Sequence, residues 1–355
     1  VKSISPLRYR WPFSAKLFFY LLTVATLLAP IPFVFFKPGV PDNVAAGIIE
    51  LNDVKSYPVN GKLYITSILV TNPDSPVFGA ETIVNWALGP HVVLPRDSVY
   101  PPVQPARQIS RDSRSEMRSS QITSTAAALR YLGYEFQELY FVSVIRAYSN
   151  AKGALEPGDF IMEIDGKKIT EIEEIRTSYQ NKKVGDSLLI SVDRQNELGE
   201  LERKSFEVQL VENQELNATT GESKPAIGIL VGTTARFPID VDFNISGVGG
   251  PSAGLIFAIG IIEKLTQEDL LRGRKVAGTG AITASGRVGG IGGIEEKMIG
   301  ASRIGATLFL APAENCPDMK HIPKGLKVIP VSTLAEAVEA LRAPENFKHP
   351  TCPNW

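Results

Sequence analysis

The chain has 355 residues, 44% apolar and 21% charged, which suffices for two or three folded domains. A formal net charge of −1 excludes bulk nucleic-acid binding, which needs a basic face. The histidines His91, His321 and His349 are scattered, and no spacing among them or the cysteines suits a metal, so neither a metal nor another cofactor is expected.

The first element is an apolar run. Leu17 to Phe36 (LFFYLLTVATLLAPIPFVFF) carries no charge and is long enough to cross a bilayer as a helix. Lys2, Arg8, Arg10 and Lys16 precede it and Asp42, Glu50 and Asp53 follow, so the positive-inside bias predicts a cytoplasmic N-terminus at 1–16, a transmembrane signal anchor at 17–36 and the bulk of the chain outside the cytoplasm. A cleaved signal peptide is the alternative, though no clear A-x-A site follows. Residues 37–132 read as a juxtamembrane lead-in with no chemistry assigned. KLYITSILV (Lys62 to Val70) alternates like a strand, Pro-rich stretches follow at 89–105, and Arg111 to Leu132 has helical character.

Residues 133–213 predict a small β-rich domain. FVSVI (Phe141 to Ile145) is strand-like, Gly158-Asp159 turns into the strand FIMEI, and Asp165-Gly166 signals a hairpin. A polar helix near 171–181 and strands near 187–193 and 204–211 complete it. Val142 and Val144, then P-G-D-x-I-x-x-I-D-G-K-K-I over 157–169, resemble a PDZ domain of the bacterial type. The resemblance implies a groove that accepts a peptide by strand addition, with the carboxylate-binding loop at Gly133, Tyr134, Glu135 and Phe136. The usual Gly-aromatic-Gly-aromatic form of that loop is not clear here, and a module acting only as spacer or gate is the alternative. A polar linker (214–226) leads to a third domain over 227–345, and 346–355 form a C-terminal tail. Cys316 and Cys352 either pair, pinning that tail to the last domain, or remain free thiols.

The third domain opens with FPIDVDFNI (237–245), whose apolar residues alternate as in a half-buried strand. Gly247, Gly249 and Gly250 then let the backbone turn. Pro251 suits a first helical position, and Ser252 and Ala253 lead into LIFAIGII, apolar all round and so a buried helix. Ser252 would then sit among unpaired helix N-terminal N–H groups that can hold an oxyanion. On this stretch alone, a serine that merely starts a helix explains the residues better. Farther on, Ile294, Met298, Ala301 and Ile304 form a helical apolar stripe that includes Lys297, with Glu295, Glu296, Ser302 and Arg303 largely on other faces. A buried lysine is pushed towards its neutral form and can serve as a general base, whereas a lysine at the stripe's edge would simply snorkel.

Together, GPSAG over 250–254 and G-x-I-T-x-x-G-x-V-x-x-I-G-G-I-x-E-K over 280–297 resemble the proteolytic domain of Lon proteases, most of all the small membrane-anchored bacterial proteins that place a PDZ domain before it. The resemblance implies an α+β multidomain chain with an N-terminal transmembrane helix, a PDZ domain and a C-terminal α/β Lon-type domain. It implies Ser252 as nucleophile and Lys297 as base. Thr283 would orient the lysine, and Gly250, Pro251 and Ala253 would support the serine. Gly249 stands where many Lon proteases carry Asp, which puts an acidic contribution in doubt. No G-x-x-x-x-G-K-[ST] phosphate loop is present, so an ATP-independent endopeptidase acting on extended or unfolded polypeptides is expected, anchored in the bacterial cell membrane. Full Lon forms hexameric rings, so self-association is a further implication. Two rival readings remain: a membrane-anchored PDZ scaffold with a degenerate protease domain, and an α/β-hydrolase esterase using G-x-S-x-G with Asp318 and His321.

Overall fold

The computed structural model describes residues 12–72, 75–88, 92–100, 106–196, 200–214, 223–344, 347–348 and 350–353. Residues 1–11, with three of the four N-terminal cations, and 215–222, the middle of the expected linker, lie outside the described residues. The chain divides into two compact units, one of residues 1–132 with 241–355 and the other of residues 133–240.

The expected membrane span is overturned. Helix α1 covers Phe13–Leu28, only 16 residues. At 1.5 Å per residue it rises about 24 Å, short of a hydrocarbon core of about 30 Å. Pro30 and Pro32 cannot continue a helix, and Ala29 ahead of them is already extended. The next residues of the apolar run form strand β1 (Phe33–Pro38). Among the described residues no helix is long and apolar enough to cross a membrane. The single-pass membrane placement, and the extracytoplasmic location built on it, fall with that helix.

After β1 come β2 (Ile49–Asn52), β3 (Lys62–Ile65), β4 (Ile68–Val70), β5 (Val92–Pro95) and the long helix α2 (Ala106–Tyr131). In the second unit follow β6 (Gln137–Ile145), β7 (Phe160–Ile164), α3 (Ile172–Thr177), β8 (Ser187–Gln195), β9 (Leu201–Gln209) and β10 (Ile229–Arg236). The chain then passes through β11 (Asp240–Phe243), α4 (Gly254–Leu265), β12 (Lys275–Gly278), β13 (Ala281–Ile282), β14 (Val288–Gly289), α5 (Ile294–Arg303), β15 (Leu308–Pro312), β16 (Lys327–Val331) and α6 (Leu334–Arg342).

In the first unit β16, β15, β12 and β3 run parallel in that order, and the short strand Asp42–Asn43 closes the edge antiparallel to β3. The segment read as a lead-in thus supplies a strand of the same sheet as 275–331. It also supplies a separate antiparallel sheet, β4–β1–β5. Helix α4 is buried from Gly254 through Glu263, as an all-round apolar sequence requires. Its residues join Leu63, Ile65, Val276, Leu310 and Ile329 in one core. Cys316 and Cys352 are disulfide-bonded, which ties the C-terminal segment to the α5–β15 core where Cys352 is buried.

The second unit is an antiparallel sheet in the order β9–β8–β7–β6–β10, with its core at Val142, Leu155, Ile161, Ile164, Leu188 and Ile190. Asp159, 1% exposed, is held by a fork from Arg194, with Nε to Oδ1 and Nη2 to Oδ2 both at 2.7 Å. The Arg194 guanidinium also donates to Ala154 O and Glu156 Oε1, and it stacks on Phe206.

Candidate active site

The serine lies on a loop that two neighbours clamp. Gly247 and Gly250 adopt φ of +76° and +80°, conformations that glycine takes without strain. A Cβ on Gly249 would stand 2.0 Å from Ser113 Oγ on α2, so the loop passes where only glycine fits. Helix α2 then grips it twice: Gly250 N donates to Ser113 O at 2.9 Å, and Ser120 Oγ donates to Pro251 O at 3.0 Å. Helix α4 begins at Gly254 rather than Pro251, because Pro251–Ala253 form a turn ahead of it. Two N–H groups expected to be open at its start are taken, Gly254 N by Pro251 O and Leu255 N by Gly280 O. Those of Ser252 and Ala253 donate to no acceptor among the described residues. Ser252 itself is half-buried.

The lysine comes from α5. Gly293 precedes the helix at φ +68°, and a Cβ there would press on Ile68 Cγ2 at 2.9 Å. Lys297 is 3% exposed. Burial alone lowers its pKa from 10.5 to about 7. Its Nζ donates to Thr279 Oγ1 at 3.1 Å, and Thr279 Oγ1 donates to Ser252 O at 2.9 Å. Gly280 N donates to the same carbonyl at 2.8 Å. One hydroxyl at the end of β12 therefore links the lysine head to the backbone of the serine. Glu296 is also buried, against the helical spacing, because β1 packs on α5 from a second side. Its carboxyl is pushed up by desolvation.

Two expectations need correction. Thr283 does not meet Lys297: its Oγ1 accepts from Arg287 N at 3.0 Å and pairs with Ser285 Oγ at 2.9 Å, closing the turn between β13 and β14. The threonine at the lysine is Thr279, which sequence reasoning missed. Its only signal was a hydroxyl residue directly after a buried strand and before a glycine. Helix α2, assigned no chemistry, walls the serine loop. Ser110, Ser113, Arg114, Met117 and Arg118 line a cavity of about 660 Å³ with the loop residues 245–249. His321, the hydrolase candidate, points its ring at Glu295, with an 86% exposed side chain.

In the second unit Gly133 turns at φ +79°, and Tyr134, Glu135 and Phe136 lead into β6 without regular structure. Phe136 packs edge to face on Phe237 with ring centroids 5.1 Å apart. A cavity of about 430 Å³ beside the loop is lined by Glu135, Phe136, Gln137, Lys168 and Ile169 among others. β10 pairs along the outer edge of β6 from Ile229 opposite Ile145 to Arg236 opposite Gln137.

The first unit is of the serine-type peptidase class. Residues 245–343 match the Lon protease (S16) C-terminal proteolytic domain and residues 123–208 match a PDZ domain, so both are present in this chain. The Lon protease of Heliobacterium modesticaldum is 38% identical over 109 residues, which cover 29% of this chain and 13% of that protein. Lon protease 1 of Bacillus subtilis is 43% identical over 94 residues, covering 25% and 12%. The Lon protease of Xanthomonas oryzae is 32% identical over 145 residues, covering 36% and 17%. The chain thus spans less than a fifth of the length of these relatives. Among solved structures, the PDZ domain of the SdrC-like protein from Listeria innocua is 26% identical with a TM-score of 0.22, covering 26% of this chain and 92% of that one.

Proposed function

We propose that the chain is an endopeptidase in which Lys297 activates Ser252 and the PDZ unit recruits or gates extended polypeptide substrates. The observation that carries this is the buried, uncompensated Lys297 amine joined through Thr279 to the Ser252 backbone. With its pKa near 7, a large fraction of Lys297 is neutral at neutral pH and able to take the Ser252 proton. Ser252 Oγ attacks the scissile carbonyl, and the open N–H groups of Ser252 and Ala253 stabilise the oxyanion. The Lys297 ammonium returns the proton to the leaving amine, and the freed amine then activates the water that resolves the acyl-enzyme. Thr279 holds the amine in place during both transfers.

The cavity between α2 and residues 245–249 adjoins the serine loop and is, in this reading, where the substrate chain lies. Hydrolysis by this route uses only Ser252, Lys297 and backbone N–H groups, so the reading extends to cleavage without ATP. The test is cleavage of unfolded casein without ATP by the wild type, Ser252→Ala and Lys297→Ala, each checked for folding. Loss of cleavage in both variants supports the dyad. Full activity in Lys297→Ala removes lysine as the base.

A further inference from the structure

The cavity beside the serine loop has a charge imbalance. Helix α2 turns Arg114 and Arg118 towards it, about one turn apart on the side that also carries Gln121. No acidic side chain lines the cavity. Asp112 and Glu116 each stand two residues before one of the arginines, which puts them about 160° round the helix from it. Asp242, the last acid before the loop, accepts from Asn52 Nδ2 at 2.8 Å. Both arginines are exposed, and among the described residues neither guanidinium has a hydrogen bond or an ion pair.

The two cations are also held in register with the nucleophile. They lie between the two points at which α2 grips the serine loop, Ser113 on Gly250 and Ser120 on Pro251. The helix that fixes the loop therefore fixes the distance from the arginines to Ser252. The facing wall, residues 245–249, has no side chain at Gly247 and Gly249, which leaves room for a backbone to lie along it. A guanidinium is always charged, offers donors only, and matches a carboxylate with two parallel hydrogen bonds. Facing no carboxylate of their own chain, these two are free to take one from a substrate, and a cleft lined by one sign of charge also concentrates ligands of the other.

We propose that Arg114 and Arg118 form an acidic subsite, which selects polypeptides carrying an Asp or Glu side chain at one fixed position near the scissile bond. The proposal rests on the reading of this cavity as the place of the substrate chain. Lys297 and Ser252 then perform the cleavage, and the arginines decide which chains are cut and in what register.

Binding is measured first, on the full chain carrying Ser252→Ala, which removes the proposed nucleophile. The probes are Thr-Val-Glu-Thr-Glu-Val-Thr-Ala and its counterpart with both Glu replaced by Gln, each amidated at the C-terminus and labelled with an uncharged dye. Anisotropy at low salt is expected to show the Glu peptide binding about 10-fold more tightly, as charge-assisted hydrogen bonds would give. With Arg114→Gln plus Arg118→Gln the two peptides should become equal. Equal affinity before that change, or a difference that survives it, overturns the proposal. A Gln peptide with a free C-terminus that binds as tightly as the amidated Glu peptide overturns it too, since the site would then read a chain end.

Cleavage is the second measurement, with dephosphorylated unfolded casein as probe and the cut sites mapped by mass spectrometry. The unsubstituted chain should show Asp or Glu enriched at one fixed distance from the cut. Arg114→Glu plus Arg118→Glu should replace them with Lys or Arg at that same distance, a gain that a merely damaged helix cannot produce. The same residues at that distance in both chains overturn the proposal. Casein cleavage that depends on Ser252 but shows no such preference sinks this inference alone. Absence of Ser252-dependent cleavage sinks the peptidase reading, and the binding measurement still decides the subsite.

Discussion

Lys297 and Thr279 share a hydrogen bond of 3.1 Å in the interior of the first unit, and the Thr279 hydroxyl passes on to the Ser252 carbonyl at 2.9 Å. The bond leaves a buried amine with one fixed partner and gives the serine backbone the same anchor. Thr279→Val removes both contacts at nearly constant volume. An unsatisfied buried group costs about 1–3 kcal/mol, so kcat should fall about 10- to 100-fold with KM little changed. Thr279→Ser should recover most of it. Steady-state kinetics on a fluorogenic peptide decides, and unchanged kcat in Thr279→Val would remove the threonine from the mechanism.

Activity should rise with pH through about 7, where Lys297 loses its proton. The stability effect has the same sign. The folded pKa lies below the unfolded value of about 10.4, so the unfolded chain binds more protons between those two values and stability climbs with pH across that window. Below about pH 7 the penalty of burying the ammonium is present in full, on the order of 4 kcal/mol. Lys297→Met should therefore be inactive, raise the Tm at neutral pH and flatten the dependence of stability on pH from 7 to 10. A steep slope surviving in Lys297→Met would assign it to another group.

Gly249→Ala should lower kcat, because the new Cβ meets Ser113 Oγ at 2.0 Å and pushes residues 249–251 away from α2. Adding Ser113→Ala deletes that oxygen and should restore part of the activity. Additive losses in the double variant would show that the two positions do not press on each other.

The PDZ unit should depend on Arg194. Asp159 is 1% exposed and takes both of its ion-pair hydrogen bonds from that side chain, so Arg194→Met leaves a buried carboxylate without its counter-charge and with the Glu156 N–H as its remaining donor. Breaking such a pair costs about 3–5 kcal/mol. Urea unfolding followed by hydrogen exchange should place the loss in residues 133–240 and leave casein-independent features of the first unit, such as protection of α4, unchanged.

The Cys316–Cys352 bridge closes a segment of sequence separation 36. Chain entropy alone assigns it about 4 kcal/mol. Cys352→Ala, or reduction of the wild type, should lower the urea midpoint by a matching amount, and a variant with both cysteines replaced should no longer respond to reductant.

Much of the site was readable because its signals are local. Three glycines before an all-apolar stretch specify a tight loop and a buried helix, and a lysine inside an apolar stripe specifies an inward amine. The pattern P-G-D with its hairpin likewise specifies the β7 region by turn chemistry. Thr279 was missed because nothing local separates it from Thr283, since both follow short strands in a glycine-rich run. Only the pairing of β12 with β3 and β15 puts one at the lysine and leaves the other closing a turn. Glu296 was misplaced for a similar reason, as helical spacing finds one buried face and cannot see that β1 covers another.

By itself, then, the sequence determined the glycine loop before a buried helix, the inward-facing lysine and the order of the two domains, because loop conformation, helix burial and hairpin turns depend on neighbouring residues. Tertiary structure alone decided which threonine joins them, that α2 walls the serine loop, that β3 from the N-terminal segment enters the sheet of 275–331, and that β10 lies on β6. It also decided that Leu17 to Phe36 is a helix followed by a strand and not a membrane span. Apolar length counts residues, whereas Pro30, Pro32 and a waiting pair of antiparallel partners set where the helix has to stop.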